Sequence, residues 1–326
     1  MKLQRSSASV DLLCRFFGKS RQALYQIQHR KDRRHVDEEL VINYVNEYRR
    51  AMPKIGTRKL HHMLESQLQV SGIKCGRDML FSMLSRSGLL LRKHRKCHGT
   101  TRRLPVCRHF PNLIKDMAIE ASEMVWVSDT TSIAICDGLA YLTLITDAYS
   151  KQIMGYHLQR TKESSGSLTT LRMGLKGRKY PERPLVHHSD GGGEYFNRVY
   201  LQELVDAHVT ASCSAPSSPQ ENPVAERING ILKQEFLLTE KRRSFKDVME
   251  KLSESIRVYN QVRPHASINY MTPQQAHDCN GPLRKRWKAY RRIDRRDPGL
   301  TGIGQRIHQI MQAWVKNADA PAITKE

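Results

Sequence analysis

Near residue 122 the chain changes its texture from helical to strand-like. "MVWVSDTTSIAI" and "LAYLTLITDAYS" are β-rich runs joined by the turn-forming "CDG", and "KQIMGYHL" completes a three-stranded meander. Helical and strand patterns alternate from there: a helix near 163–178, a strand at 185–189, a helix near 197–208, the strand "VTASCS", and a long helix beginning near Pro223. A meander followed by alternating β and α elements predicts an α/β unit with a mixed sheet and helices on its faces.

Three acids stand out against this frame. In the first strand Val125, Val127, Asp129, Thr131 and Ile133 share one face, so a carboxylate interrupts an apolar stripe. Asp190 sits just past a second strand and runs into three glycines in "HHSDGGGEY", at the strand end where open α/β sheets bind ligands. The glycines leave room for ions and a DNA backbone to approach, although an idle turn has the same composition. Glu226 follows "SAPSSPQENP", where Asn222 can cap the helix and Pro223 suits its first position, and it can project toward the sheet. Taken singly these are a strand-end residue, a turn and a favourable first-turn charge. Drawn together, three carboxylates repel one another and call for a cation. Hard oxygen donors specify Mg2+ or Mn2+ rather than zinc, and two such ions suit phosphodiester displacement.

Charge names the substrate class. The chain has 54 Lys and Arg against 32 Asp and Glu, a formal net charge of +22, which attracts a polyanion, nucleic acid before membrane. No apolar run reaches the length of a membrane span, and the first residues lack a secretory signal, so a cytoplasmic, nucleoid-associated protein is expected. Seven cysteines without CxxC spacing read as reduced thiols. His94, Cys97, His98, Cys107 and His109 cluster without matching a standard zinc spacing.

Upstream, residues 1–32 read as a small helical unit. Val10, Leu13 and Phe17 fall at helical spacing, Gly18 turns, and Ser20 caps a second, basic helix beginning at Arg21. A helix-turn-helix and a plain helical hairpin share that pattern; the surrounding charge favours DNA contact by Ser20 and Arg21. Residues 33–98 hold three more helices, "DEELVINYVNEYRRAM", "TRKLHHMLESQL" and "GRDMLFSMLSRSGLL". A basic stretch with Arg92, Lys93, Arg95 and Lys96 leads into a linker at 99–120, the core spans 121–276, and a tail fills 277–326. In that tail, Arg284, Lys285 and Arg286 open a run of eight basic residues in thirteen with Trp287 and Tyr290 interleaved, suited to phosphates and stacked bases. "GQRIHQIMQAWVKN" then forms an amphipathic helix.

The ordered segments "VWVSDTTSIAICDGLAYLTLITDAYSKQIMGYHL", "HSDGGGEY", "SPQENPVAERINGILKQEF" and "YNQVRPHASINYMTPQQA" resemble the catalytic core of bacterial insertion-sequence transposases of the IS-three family. That core is similar to retroviral integrase and has a ribonuclease H-like fold. The resemblance implies that Asp129, Asp190 and Glu226 are the catalytic DDE acids and hold two Mg2+ or Mn2+ ions. It implies a transposase that nicks insertion-sequence ends to free a 3′ hydroxyl and transfers that strand to target DNA, working as a dimer or larger assembly on terminal inverted repeats. Lys233, seven residues after Glu226 on the same helical face, would hold phosphates, with Asn222 and Arg227 assisting. Tyr259, Asn260, Arg263, Pro264 and His265 match the family's tail motif, with DNA contact by Arg263 and plain packing both open. Two features depart from the pattern: Ser132 stands where an aromatic is common, and no sustained heptads accompany the N-terminal unit. A catalytically idle DNA-binding regulator and a purely hydrolytic nuclease are the competing readings.

Overall fold

In the computed structural model the described residues are 14–18, 20–91, 110–115, 117–214, 222–238, 243–283 and 300–316. They divide into two compact units, one holding residues up to 50 with 56–92, the other holding 51–55 and those from 93 onward.

The first unit is helical. Helix α1 (Arg21–Ala51) begins where expected, with Ser20 Oγ accepting from Ala23 N at 3.1 Å, but it runs on for 31 residues. The expected boundary between residues 32 and 33 therefore falls inside a helix. No Gly or Pro interrupts 21–51, so nothing stops propagation there. Its first half is exposed, while Val41 and Val45 are buried, as are Leu60, Leu64 and Leu68 of α2 (Thr57–Val70) and Leu80, Met83 and Leu84 of α3 (Arg77–Arg86). Polar ties hold α1 within the unit, among them Tyr44 OH to Ser71 Oγ at 3.0 Å, Arg49 Nη1 donating to Leu89 O at 2.7 Å, and Arg86 Nη2 donating to Glu38 Oε1 at 2.8 Å.

The second unit is built on a five-stranded mixed sheet in the order β3-β2-β1-β4-β5. The expected meander is β1 (Val125–Ile135), β2 (Gly138–Asp147) and β3 (Ile153–Gln159), all antiparallel. On the other side of β1, β4 (Leu185–Ser189) and β5 (Val209–Cys213) add in parallel, each reached through a helix: α4 (Ser164–Lys176) and α5 (Arg198–Asp206). Alternation along β1 sorts two cores. Trp126 joins Leu171, Leu185, Tyr195, Tyr200 and Leu204, while Val125 and Val127 face Val186 and Ala225 of α6 (Pro223–Glu235). Helices thus cover both faces. Helix α4 lies so close to β3 that a Cβ on Gly155 would collide with the Thr170 carbonyl.

Two buried carboxylates lock the start of β1 to the end of this unit. Glu123, fully buried, accepts from Arg178 Nε (3.1 Å), Lys179 N (2.7 Å), Tyr180 N (3.2 Å) and His277 Nε2 (3.2 Å). Burial alone would raise its pKa, but these hydrogen bonds bring it down to about 2. Asp147, also fully buried, accepts from Glu123 N, Tyr149 N, Ser150 N and Ser150 Oγ at 2.6 to 3.1 Å; burial dominates there and raises its pKa. His277 closes α8 (Pro273–His277) and also meets Ser150 Oγ through Nδ1 at 3.0 Å.

Between α6 and α8 lies α7 (Phe245–Gln261), opened by a Ser244–Asp247 capping box. The expected tail motif begins within this helix, and its first two residues make internal contacts. Asn260 pairs with the backbone of Ile153 through both ends of its amide, and Tyr259 OH donates to Lys151 O at 2.9 Å. The expected amphipathic helix is α9 (Leu300–Lys316), which buries Ile307 and Met311 against the α5 and β5 side of the core. Cys14, Cys75, Cys136 and Cys279 are free thiols as expected; Cys213, buried at the end of β5, stands instead in a disulfide. No helix among the described residues is long and apolar enough to cross a membrane. The histidine and cysteine cluster at 94–109 lies outside the described residues.

Candidate active site

Helix α6 is fastened to β1 along one stripe. Asn222, Glu226, Asn229 and Lys233 recur at spacings of four, three and four, so they share a face. Three of them meet the strand in chain order: Asn222 Nδ2 donates to Ser128 O at 2.9 Å, Asn229 Nδ2 to Asp129 Oδ2 at 2.8 Å, and the Lys233 ammonium to Thr131 Oγ1. Helix and strand therefore run side by side in the same direction, and Glu226 occupies the stripe between the first two ties, with an exposed side chain. Burial lowers the pKa of Lys233, and the Asp129 charge partly opposes that.

Asp190 comes from the neighbouring strand. The β1/β4 pairing ends at Val127 and His188; two residues further along the chain in each case are Asp129, within β1, and Asp190, just past the end of β4, both half-buried. Past Asp190 the chain turns tightly, with Gly192 N donating to Asp190 Oδ1 at 3.3 Å. The glycines have a more specific reason than open access. A Cβ on Gly192 would lie 2.6 Å from Glu194 Oε2 and 3.1 Å from Asp190 Oδ1, so the missing side chain lets the Glu194 carboxylate fold back beside Asp190. Gly193 has nothing within 4 Å of that position. The loop is pinned to β1 by Tyr195, whose hydroxyl lies 2.8 Å from Thr130 Oγ1. Burial holds that phenol well above its ordinary pKa, and the charges of Asp129 and Glu194 add to the effect.

The three expected acids are not gathered around one point. Among the described residues no group of three His, Cys, Asp or Glu stands close enough to hold a metal ion. What the fold brings together is Asp129 with Asn229 and Lys233, and Asp190 with Glu194.

The expected DNA contacts divide sharply. Ser20, Arg21 and Arg227 are exposed, whereas Arg92, Lys93, Arg95, Lys96, Arg284, Lys285 and Arg286 lie outside the described residues. Arg263 does not face DNA: it is 1% exposed, its guanidinium donates to both oxygens of Glu235 at 2.8 and 2.9 Å, and Nη1 meets His265 Nε2 at 2.6 Å. A buried guanidinium needs such partners, and they leave none of its forks for phosphate. Asn222 is likewise buried; it stands at the helix N-cap position, yet its side chain makes no capping bond and ties α6 to β1 instead. Sequence reasoning passed over Asn229 and Glu194. The 222, 226, 229, 233 spacing was the signal for the first, and the acid four residues after Asp190 was the signal for the second.

Two family models, both described as integrase core domain, match residues 120–219 and 207–273. The chain is 31% identical over 270 residues to "Insertion element IS600 uncharacterized 31 kDa protein" of Shigella sonnei, covering 80% of this chain and 96% of that one. It is 28% identical over 199 residues to a putative transposase for insertion sequence element IS986/IS6110 of Mycobacterium tuberculosis, covering 59% and 70%. Among solved structures, the HTLV-2 integrase catalytic core domain in complex with magnesium is 18% identical, with a TM-score of 0.37 over 48% of this chain and 97% of that one. With the relative matched across nearly its whole length and the integrase-core matches laid over β1 to α8, the chain belongs to the bacterial insertion-sequence transposases with an integrase-like core.

Proposed function

We propose that this transposase nicks the ends of its insertion sequence to free 3′ hydroxyls and joins them to target DNA by transesterification, with Asp129, Asp190 and Glu226 as the catalytic, cation-holding acids. The observation that carries this reading is that Asp129 and Asp190 each lie two residues past the last pair of the parallel strands β1 and β4, with Glu226 on the helix stripe that grips β1 at Asp129. The donor set suits a hard divalent cation: it consists of carboxylate oxygens, and the amide oxygen of Asn229, whose Nδ2 binds Asp129, is buried without a hydrogen-bond partner among the described residues. When bound, two Mg2+ or Mn2+ ions would activate the attacking oxygen and stabilise the leaving one. The chain's own part is to hold the acids on a rigid strand pair, to keep the Asp190 loop in register through Tyr195 and Thr130, and to offer the Lys233 ammonium to a phosphate. Double-stranded DNA, both terminal repeats and target, is the partner, bound by a dimer or larger assembly. A net charge of +22 makes that binding steeply salt-dependent.

The test is incubation of the full chain with labelled terminal-repeat DNA and Mg2+ or Mn2+. Nicked ends followed by joined products are expected. DNA binding with neither product under any divalent cation would leave an idle regulator, and cut ends that never join would leave a hydrolytic nuclease.

A further inference from the structure

We infer that Asn229 is a positioning residue for the cation site, fixing the Asp129 carboxylate before any ion arrives; this rests on the proposed role of Asp129. The chemistry of the contact fixes the amide's orientation. A carboxylate oxygen only accepts, so the atom 2.8 Å from Asp129 Oδ2 is the NH2 group of Asn229. Its other end, Oδ1, is buried with no partner among the described residues, an arrangement that costs stability. Rotating the amide would not relieve it, because Oδ1 would then face the carboxylate.

The surroundings make this polar residue conspicuous. Ile228, Ile231 and Leu232 are each 3% exposed or less, and Asn229 itself is 5% exposed. A leucine at this position would remove the orphaned oxygen and extend the apolar face, so stability alone does not account for an amide. What the amide contributes is a directed donor to one named oxygen of Asp129. That bond holds the carboxylate in a single rotamer against β1, as outer-shell partners orient metal ligands generally, and losing such a partner typically weakens metal affinity about 10–100-fold. Asn222 is equally buried on the same stripe but donates to the Ser128 backbone, so it fastens the helix without touching an acid.

Manganese binding to the full chain without DNA tests the assignment, by calorimetry or by the Mn2+ paramagnetic resonance signal. Asn229→Leu is expected to raise the Mn2+ dissociation constant about tenfold or more, while the circular dichroism spectrum and DNA binding in EDTA match the parent chain. Should the leucine variant not fold, Asn229→Ser, too short to reach Asp129 Oδ2, carries the same expectation. A folded variant that binds Mn2+ with the parent's constant overturns the inference. Asp129→Asn in parallel separates the two layers: if it also binds Mn2+ normally, the reading of Asp129 as a cation ligand fails; if it alone loses binding, only the role of Asn229 fails.

Discussion

Strand β1 meets carboxylates in two places and treats them in opposite ways. At its start, Glu123 and Asp147 are sealed from solvent, and each accepts four hydrogen bonds from backbone, Arg178, His277 or Ser150. Further along, Asp129 and Asp190 are half-buried and Glu226 is exposed; Asp129 accepts from the Asn229 amide and Asp190 from the Gly192 backbone N–H. A fully hydrogen-bonded carboxylate holds the fold and has little capacity left for a ligand. One left open to solvent is poor glue but can take a cation. On the proposed reading, the same residue type serves as structure or as chemistry according to whether the fold seals it among donors or leaves it open to solvent.

The largest expected effect breaks that comparison at its functional side. Asp190→Asn should reduce end nicking and joining to background while leaving DNA binding near the parent value and stability within about 0.5 kcal/mol. Gel assays beside chemical denaturation would show both; an active Asp190→Asn chain would remove Asp190 from the site.

At the structural side the signs reverse. Glu123→Gln leaves Arg178 and His277 without their acceptor charge and should lower unfolding stability by about 3–5 kcal/mol. Glu123 has a folded pKa of about 2 against an ordinary 4.5, so its contribution is fully present above pH 4.5 and is lost as pH falls toward 2. The amount is on the order of 3 kcal/mol. Asp147 works in the opposite sense, because burial raises its pKa and favours the folded chain at the acid end. Denaturation curves of parent and Glu123→Gln between pH 6 and 2.5 should therefore converge as the pH drops; curves that stay parallel would mean that Glu123 is not the depressed carboxylate.

Sequence made part of this legible. The strand at 185–189 was readable because its apolar run ends on an acid and a glycine run, and the meander because "CDG" marks its turn. The common face of Val125, Val127, Asp129 and Thr131 followed from alternation, and it is the face that α6 covers. Long-range pairing was not readable. Arg263 looked like a phosphate ligand because its partner Glu235 lies 28 residues earlier and on another helix. Asn222 fitted a cap by residue type, but Ser128, 94 residues away, takes its amide. The break expected after residue 32 rested on reading residues 1–32 as a self-contained helix-turn-helix unit, but no Gly or Pro stops its second helix, which runs on to Ala51.

The smallest expected effect concerns the three glycines. Gly192 has an ordinary backbone, with φ −67, so Gly192→Ala meets no conformational penalty. The new methyl strikes the end of a flexible side chain, the Glu194 carboxylate, which can swing away from Asp190. Stability should then fall by less than about 1 kcal/mol, and Glu194→Ala should erase that loss because nothing remains to be displaced. Gly193→Ala, with open space at its Cβ, should be silent in the same denaturation assay. If both alanines proved equally silent, the glycine run would be a plain turn; if Gly192→Ala alone responded, and only while Glu194 was present, then a missing side chain sets the distance between a structurally held acid and Asp190.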